Sequence, residues 1–113
     1  MPQYVLFLRG EPSRFAGYSP EEMQKLIQRY GEWRRSLQSK LTGGHKLKEG
    51  EGHVLRKQSG KAVVTDGPFT EAKEVMGGLF VVEADDYGQV IELAKTCPHM
   101  EFGSIEVRAI ERT

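Results

Sequence analysis

The run Leu79-Phe80-Val81-Val82 constrains this chain more than any other feature. It is an unbroken stretch of large apolar residues, entered through Gly77-Gly78 and left through Glu83-Ala84. Such a stretch reads as a strand buried on both faces rather than one alternating between core and water. Tyr4-Val5-Leu6-Phe7-Leu8 repeats the pattern near the N-terminus. Two strands of this kind need apolar cover above and below, and the remaining segments must supply it.

Two segments have helical spacing. Ser19-Pro20-Glu21-Glu22 is a helix start: Ser19 caps, Pro20 suits the first turn, and Glu22 stands at the capping-box position. Met23, Leu26, Ile27, Tyr30, Trp33 and Leu37 then recur on one face, with Leu41 near the end and Gly43-Gly44 as the stop. Trp33 lies on this stripe and is expected in the core rather than on a stacking platform. Asp86, with Gln89 three residues on, opens a second helix whose apolar face is Tyr87, Val90, Ile91 and Ala94 and which Cys97-Pro98 ends. Residues 45–53 are polar and weakly patterned, and read as loop. Residues 54–57 and 61–65 flank Gln58-Ser59-Gly60 as a β-hairpin. Ile105, Val107 and Ala109 alternate with Glu106 and Arg108 in a half-exposed terminal strand.

The order strand, helix, hairpin, strand, helix, strand is that of an α+β, ferredoxin-like domain: an antiparallel sheet with both helices on one face. The 113 residues suit one domain. Two helices cover only one face of the sheet. The other is expected to be covered by a second copy of the chain, as a homodimer.

Composition narrows the partners. Lys plus Arg and Asp plus Glu are balanced at 16 each, which weighs against nucleic acid and against a membrane surface. The lone Cys97 excludes an intramolecular disulfide. No apolar run approaches the ~18 residues of a membrane span. Met1-Pro2-Gln3 does not begin a signal peptide, and a cytoplasmic protein is expected.

Candidate chemistry centres on the loop that follows residue 65. Asp66 precedes Gly67-Pro68-Phe69, and two readings of it stand side by side. Its carboxylate accepts hydrogen bonds from its own turn, or it works as an acid–base group or orients a histidine. The imidazoles are His45, His53 and His99. The first two lie in polar sequence. His99 sits between the end of the second helix and the last strand, where this fold forms a cleft. Their spacing is not that of a zinc site, so no metal is expected. Cys97 stands at a helix C-terminus, where the dipole disfavours a thiolate, and reads as a small packed residue. Glu106 and Arg108 share a strand face, either as an exposed ion pair or with Arg108 holding an anionic substrate. Gly77-Gly78 fit neither a Rossmann nor a P-loop pattern; they read as close backbone packing, and no cofactor is expected.

Val64-Thr65-Asp66-Gly67-Pro68-Phe69, followed by Glu71-Ala72-Lys73-Glu74, Gly77-Gly78 and Ile105-Glu106-Val107-Arg108, resembles the YCII-related family, in its DGPF branch, over residues 4–110. The resemblance implies a ferredoxin-like fold pairing into a dimeric α+β barrel. In the wider family a histidine and an aspartate have been proposed as a catalytic pair, and a relative acts on a chlorinated aromatic diol. Asp66 matches the aspartate. The family's histidine lies early in the chain in some branches, whereas the first imidazole here is His45, and His99 lies at a place that varies within the branch. The expected site is Asp66 and His99 as catalytic groups, with Gly67, Phe69 and Arg108 contacting substrate. The expected function is acid–base chemistry, an elimination or isomerisation, on a small cyclic or aromatic compound. A non-catalytic, dimeric small-ligand-binding or regulatory module is the alternative.

Overall fold

A computed structural model describes residues 1–11, 13–66 and 75–112. In chain order the elements are β1 (Gln3–Gly10), α1 (Pro20–Leu37), β2 (Leu41–Lys46), β3 (His53–Gln58), β4 (Lys61–Asp66), β5 (Val75–Glu83), α2 (Tyr87–Lys95) and β6 (Gly103–Ala109). The four-stranded sheet has the order β2-β5-β1-β6, and every pairing in it is antiparallel. This is the ferredoxin-like α+β arrangement, with the hairpin β3-β4 inserted as a separate two-stranded sheet. The two apolar runs that dominate the sequence lie in the central strands, paired as Val5 with Val81 and Phe7 with Leu79.

Burial alternates along β1 as the two-residue period of a strand requires. Tyr4, Leu6 and Leu8 are buried, and Val82 joins them from β5. They form one core with Trp33 and Leu37 of α1 and Val90 and Ala94 of α2. The indole nitrogen of Trp33 is satisfied at the edge of this core by Thr96 Oγ1 at 3.0 Å, and its ring meets Phe80 edge-on. Val5, Phe7, Leu79 and Val81 are the alternate residues and remain half-exposed.

α1 begins as its sequence predicts. Glu22 N–H donates to Ser19 Oγ, and Ser19 N–H donates to Glu22 Oε1, both at 3.1 Å. Its end differs. The stripe expected to run on to Leu41 breaks at Gln38, which takes φ 54°; a 3-10 turn covers Gln38–Lys40, and Leu41 opens β2. Gly43 and Gly44 therefore belong to a strand and do not cap the helix. Pairing with β5 decides this: Gly44 lies opposite Phe80, and a Cβ there would fall 2.5 Å from the Phe80 ring. His45 and Lys46, expected in a loop, are carried in the same strand. The hairpin closes through Ser59 and Gly60, at φ 49° and 80°. Positive φ at both central residues marks the tight turn whose twist matches its strands. No helix among the described residues is long and apolar enough to cross a membrane.

Candidate functional site

A cavity of about 310 Å³ opens between α1 and the β2-β5-β1 end of the sheet. Its walls are mainly apolar: Leu8, Leu26 and Phe80 from the core side, Phe15 from the loop before α1. Arg14, Arg34 and Lys46 also line it, and among the described residues no carboxylate does. The volume lies at the small end of the range for ligand pockets.

His99 forms part of the wall. It sits in a 3-10 turn, Pro98–Glu101, that follows α2 and packs against α1 and β6. The residue is buried, at 3% exposure. Its Nε2 lies 2.7 Å from the carbonyl oxygen of Arg9, and its Nδ1 lies 3.2 Å from the hydroxyl of Tyr30. A carbonyl oxygen only accepts, so Nε2 carries a proton. In the neutral ring Nδ1 is then an acceptor, and Tyr30 donates to it. Burial pushes the Tyr30 phenol well above its ordinary value, with the nearby Cys97 thiol adding in the same direction. Burial thus keeps Tyr30 a neutral phenol beside His99 Nδ1 at a cavity wall. Cys97 itself is 2% exposed, and burial raises its thiol to about 11. That agrees with a packed residue rather than a nucleophile.

Arg14 is held at the other end of the cavity. Its side chain is only 6% exposed. Nη1 donates to the Glu11 carbonyl at 2.9 Å, Nη2 to Glu49 Oε1 at 2.7 Å, and the guanidinium lies over the Phe15 ring. Two glycines make its slot. A Cβ at Gly10 would fall 2.5 Å from Arg14 Cδ, and one at Gly77 would fall 2.3 Å from Nη2. Gly77 is also the extra residue of a β-bulge, since Leu8 pairs with Gly78 and Arg9 with Met76. Rings of Phe15, Tyr18 and Phe102 pack together and fix the loop that carries Arg14.

The structure separates the residues expected to form one site. His99 lines the cavity; Asp66 does not. Asp66 ends β4 with its side chain 98% exposed, 3.4 Å from Nδ1 of His53, which is itself 64% exposed. Arg108 is 68% exposed on β6 and stands 3.5 Å from Glu106, whose other oxygen pairs with Arg9 at 2.9 Å. Neither arginine of that cluster lines the cavity. Gly67 and Phe69, expected to touch substrate, lie outside the described residues. His45 lines the cavity from β2. Two cavity residues have roles that sequence reasoning passed over. In the sequence Tyr30 stands out only as a member of the apolar helix stripe, and no pattern singles out Arg14. Among the described residues no group of His, Cys, Asp and Glu side chains is placed to hold a metal ion.

No curated protein matches the sequence. Two solved structures overlap nearly the whole chain at low identity. One is 5-chloro-2-hydroxyhydroquinone dehydrochlorinase from Burkholderia phenoliruptrix AC1100, in complex with 2,5-dihydroxybenzoquinone. It covers 98% of this chain and 95% of its own at 16% identity, with a TM-score of 0.49. The other is At3g17210 from Arabidopsis thaliana, covering 100% of this chain and 96% of its own at 15% identity, with a TM-score of 0.40. The family pattern of the YCII-related domain matches residues 3–113, and the chain therefore belongs to the YCII-related family.

Proposed function

We propose that this protein performs acid–base chemistry on a small cyclic or aromatic compound held in the cavity beside His99. The observation that carries the reading is the Tyr30–His99 pair: a buried imidazole with both nitrogens engaged, coupled to a phenol at the wall of an apolar pocket. Burial opposes a free tyrosinate, so Tyr30 does not act as a standing base. It works as a relay. A substrate proton passes to Tyr30 Oη as the phenolic proton passes to His99 Nδ1. The imidazolium so formed keeps its Nε2–H on the Arg9 carbonyl, and the substrate is left as an anion among Arg14, Arg34 and Lys46. Return of the proton to another atom completes an isomerisation; loss of an anionic leaving group completes an elimination.

The test is turnover of a panel of small phenols and cyclic acids by wild type, Tyr30→Phe, His99→Asn and Asp66→Asn. Positioned proton transfer contributes roughly 10²–10⁴-fold, and losses of that order are expected in the first two variants. Asp66→Asn should retain activity. Equal turnover by Tyr30→Phe and wild type, or a loss confined to Asp66→Asn, would overturn the relay. Ligand binding without turnover by wild type would favour the non-catalytic module.

We infer also that two copies pair through the sheet face turned away from the helices. Val5, Phe7, Leu79 and Val81 form a half-exposed apolar strip on the central strands, beside the charged Arg9, Glu106 and Arg108. Arg9 Nε is enclosed there without an acceptor among the described residues. An apolar centre with a polar margin is the anatomy of a protein interface.

A further inference from the structure

Arg14 is a buried cation whose hydrogen bonding is incomplete. Enclosing a guanidinium is costly unless its donors are paired. The loop carbonyl of Glu11 and the carboxylate of Glu49 account for one bond at each terminal nitrogen. Nε is sealed from solvent with no acceptor among the described residues. Each terminal nitrogen keeps a second N–H beyond the bond that ties down the loop. The slot is also built for this side chain, because Gly10 and Gly77 leave the space that it fills.

Sealed beside Gly10, Nε is out of a ligand's reach, so a ligand would meet the N–H groups left on the terminal nitrogens. Arg34 lines the same cavity and has no partner among the described residues, while Lys46 stands 3.5 Å from Glu49. Among the described residues the wall carries three cations and no carboxylate, with Glu49 behind Arg14 and Lys46, and this balance favours an anion. Its apolar surfaces, including Phe15 and Phe80, favour a ring, and about 310 Å³, at the small end for a ligand pocket, favours a small one. A planar guanidinium matches a carboxylate in shape.

We propose that the cavity takes a single-ring aromatic carboxylate, with Arg14 as the anchor of its charged group. This deepens the reading of the cavity as a reaction site, but it is a statement about binding and is tested without turnover. Calorimetric titration of the full chain with benzoate should show saturable binding, and benzamide, the uncharged analogue, should bind at least about tenfold more weakly. Inorganic phosphate, which lacks the ring, should bind more weakly than benzoate. Arg14→Gln should lower benzoate affinity about 10- to 100-fold, as expected for losing hydrogen bonds to a charged group. Because Arg14 also ties its loop, Glu49→Gln provides a second test that leaves the guanidinium in place. Removing the competing carboxylate should tighten benzoate binding several-fold.

Benzoate binding unchanged or weakened in Glu49→Gln would overturn the proposal. So would equal binding of benzoate and benzamide, or phosphate binding as tight as benzoate. Tyr30→Phe separates the two readings. Benzoate binding retained there, whatever the effect on turnover, supports the anchor; a full turnover by that variant would defeat the relay and leave Arg14 in place.

Discussion

Burial acts on both titratable neighbours of His99 in the same direction. Tyr30 and Cys97 are each held in their neutral forms, and neither change of charge is compensated by a nearby cation strongly enough to reverse it. For Cys97 the consequence is a stability profile. The backbone N–H of His99 favours its thiolate, but desolvation is the larger effect, and the thiol rises from 9.0 to about 11. Between these values the unfolded chain releases the proton and the folded chain keeps it. Unfolding therefore becomes easier as the pH rises, and the stability present below pH 9 is lost by about pH 11. A shift of this size corresponds to roughly 2–3 kcal/mol. Tyr30 adds to the loss above its ordinary value. Urea unfolding at pH 8, 9 and 10 should show the decline in wild type, and a shallower one in Cys97→Ala between pH 9 and 10. A flat profile in wild type would show that the thiol titrates alike in both states.

At the scale of elements, caps and turns were readable because each works through neighbours in sequence. Ser19 and Glu22 form their reciprocal bonds across three residues. Asp86 accepts from Gln89 N–H at 2.9 Å, while the Gln89 side chain reaches one residue further back, to Asp85 N–H, instead of closing on the cap. Ser19→Ala should cost about 1 kcal/mol, the usual loss for an N-cap hydroxyl, seen as a lower urea midpoint at unchanged slope. No change in midpoint would mean that tertiary packing alone sets this helix end. Where the sequence misleads, the deciding partner is distant. Leu41 continues the helical period, yet it becomes a strand because β5 offers an edge to pair with. Arg14 and Tyr30 escape notice for the same reason. The slot around Arg14 depends on a bulge 63 positions away in numbering, at Gly77, and Tyr30 gains its role only from a histidine brought across the fold. The Asp66 motif has the opposite character: it marks the family in sequence, while its carboxylate stands outside the cavity.

At the scale of the whole molecule the chain is flat. Its extents are 47 × 44 × 18 Å, and its radius of gyration is 16.1 Å, against about 13 Å for a compact chain of this size. A thickness of 18 Å accommodates one sheet and one layer of helices, which leaves the second sheet face uncovered. The hairpin β3-β4 adds a second deficit. A two-stranded ribbon is marginal by itself in water, and this one exposes the facing pair Leu55 and Val64 at 66% and 58%. A second copy laid on the open sheet face would bury Val5, Phe7, Leu79 and Val81, at roughly 1.5–3 kcal/mol for each large side chain fully covered. Phe7 is central to that strip, with Leu79 on one side and Glu106 on the other. A charge at this position would be desolvated without a designed partner, whereas in the monomer it would stay half in water. Phe7→Glu should therefore convert a dimeric mass in light scattering to a monomeric one, with the far-ultraviolet dichroism of the α+β fold retained. A monomeric wild type at micromolar concentration would defeat the pairing, as would a Phe7→Glu variant that folds and remains dimeric. Because the cavity lies between α1 and the opposite face of the sheet, benzoate binding should survive in a folded monomer. Its loss together with the dimer would place the partner's surface, or the hairpin, in the wall of the site.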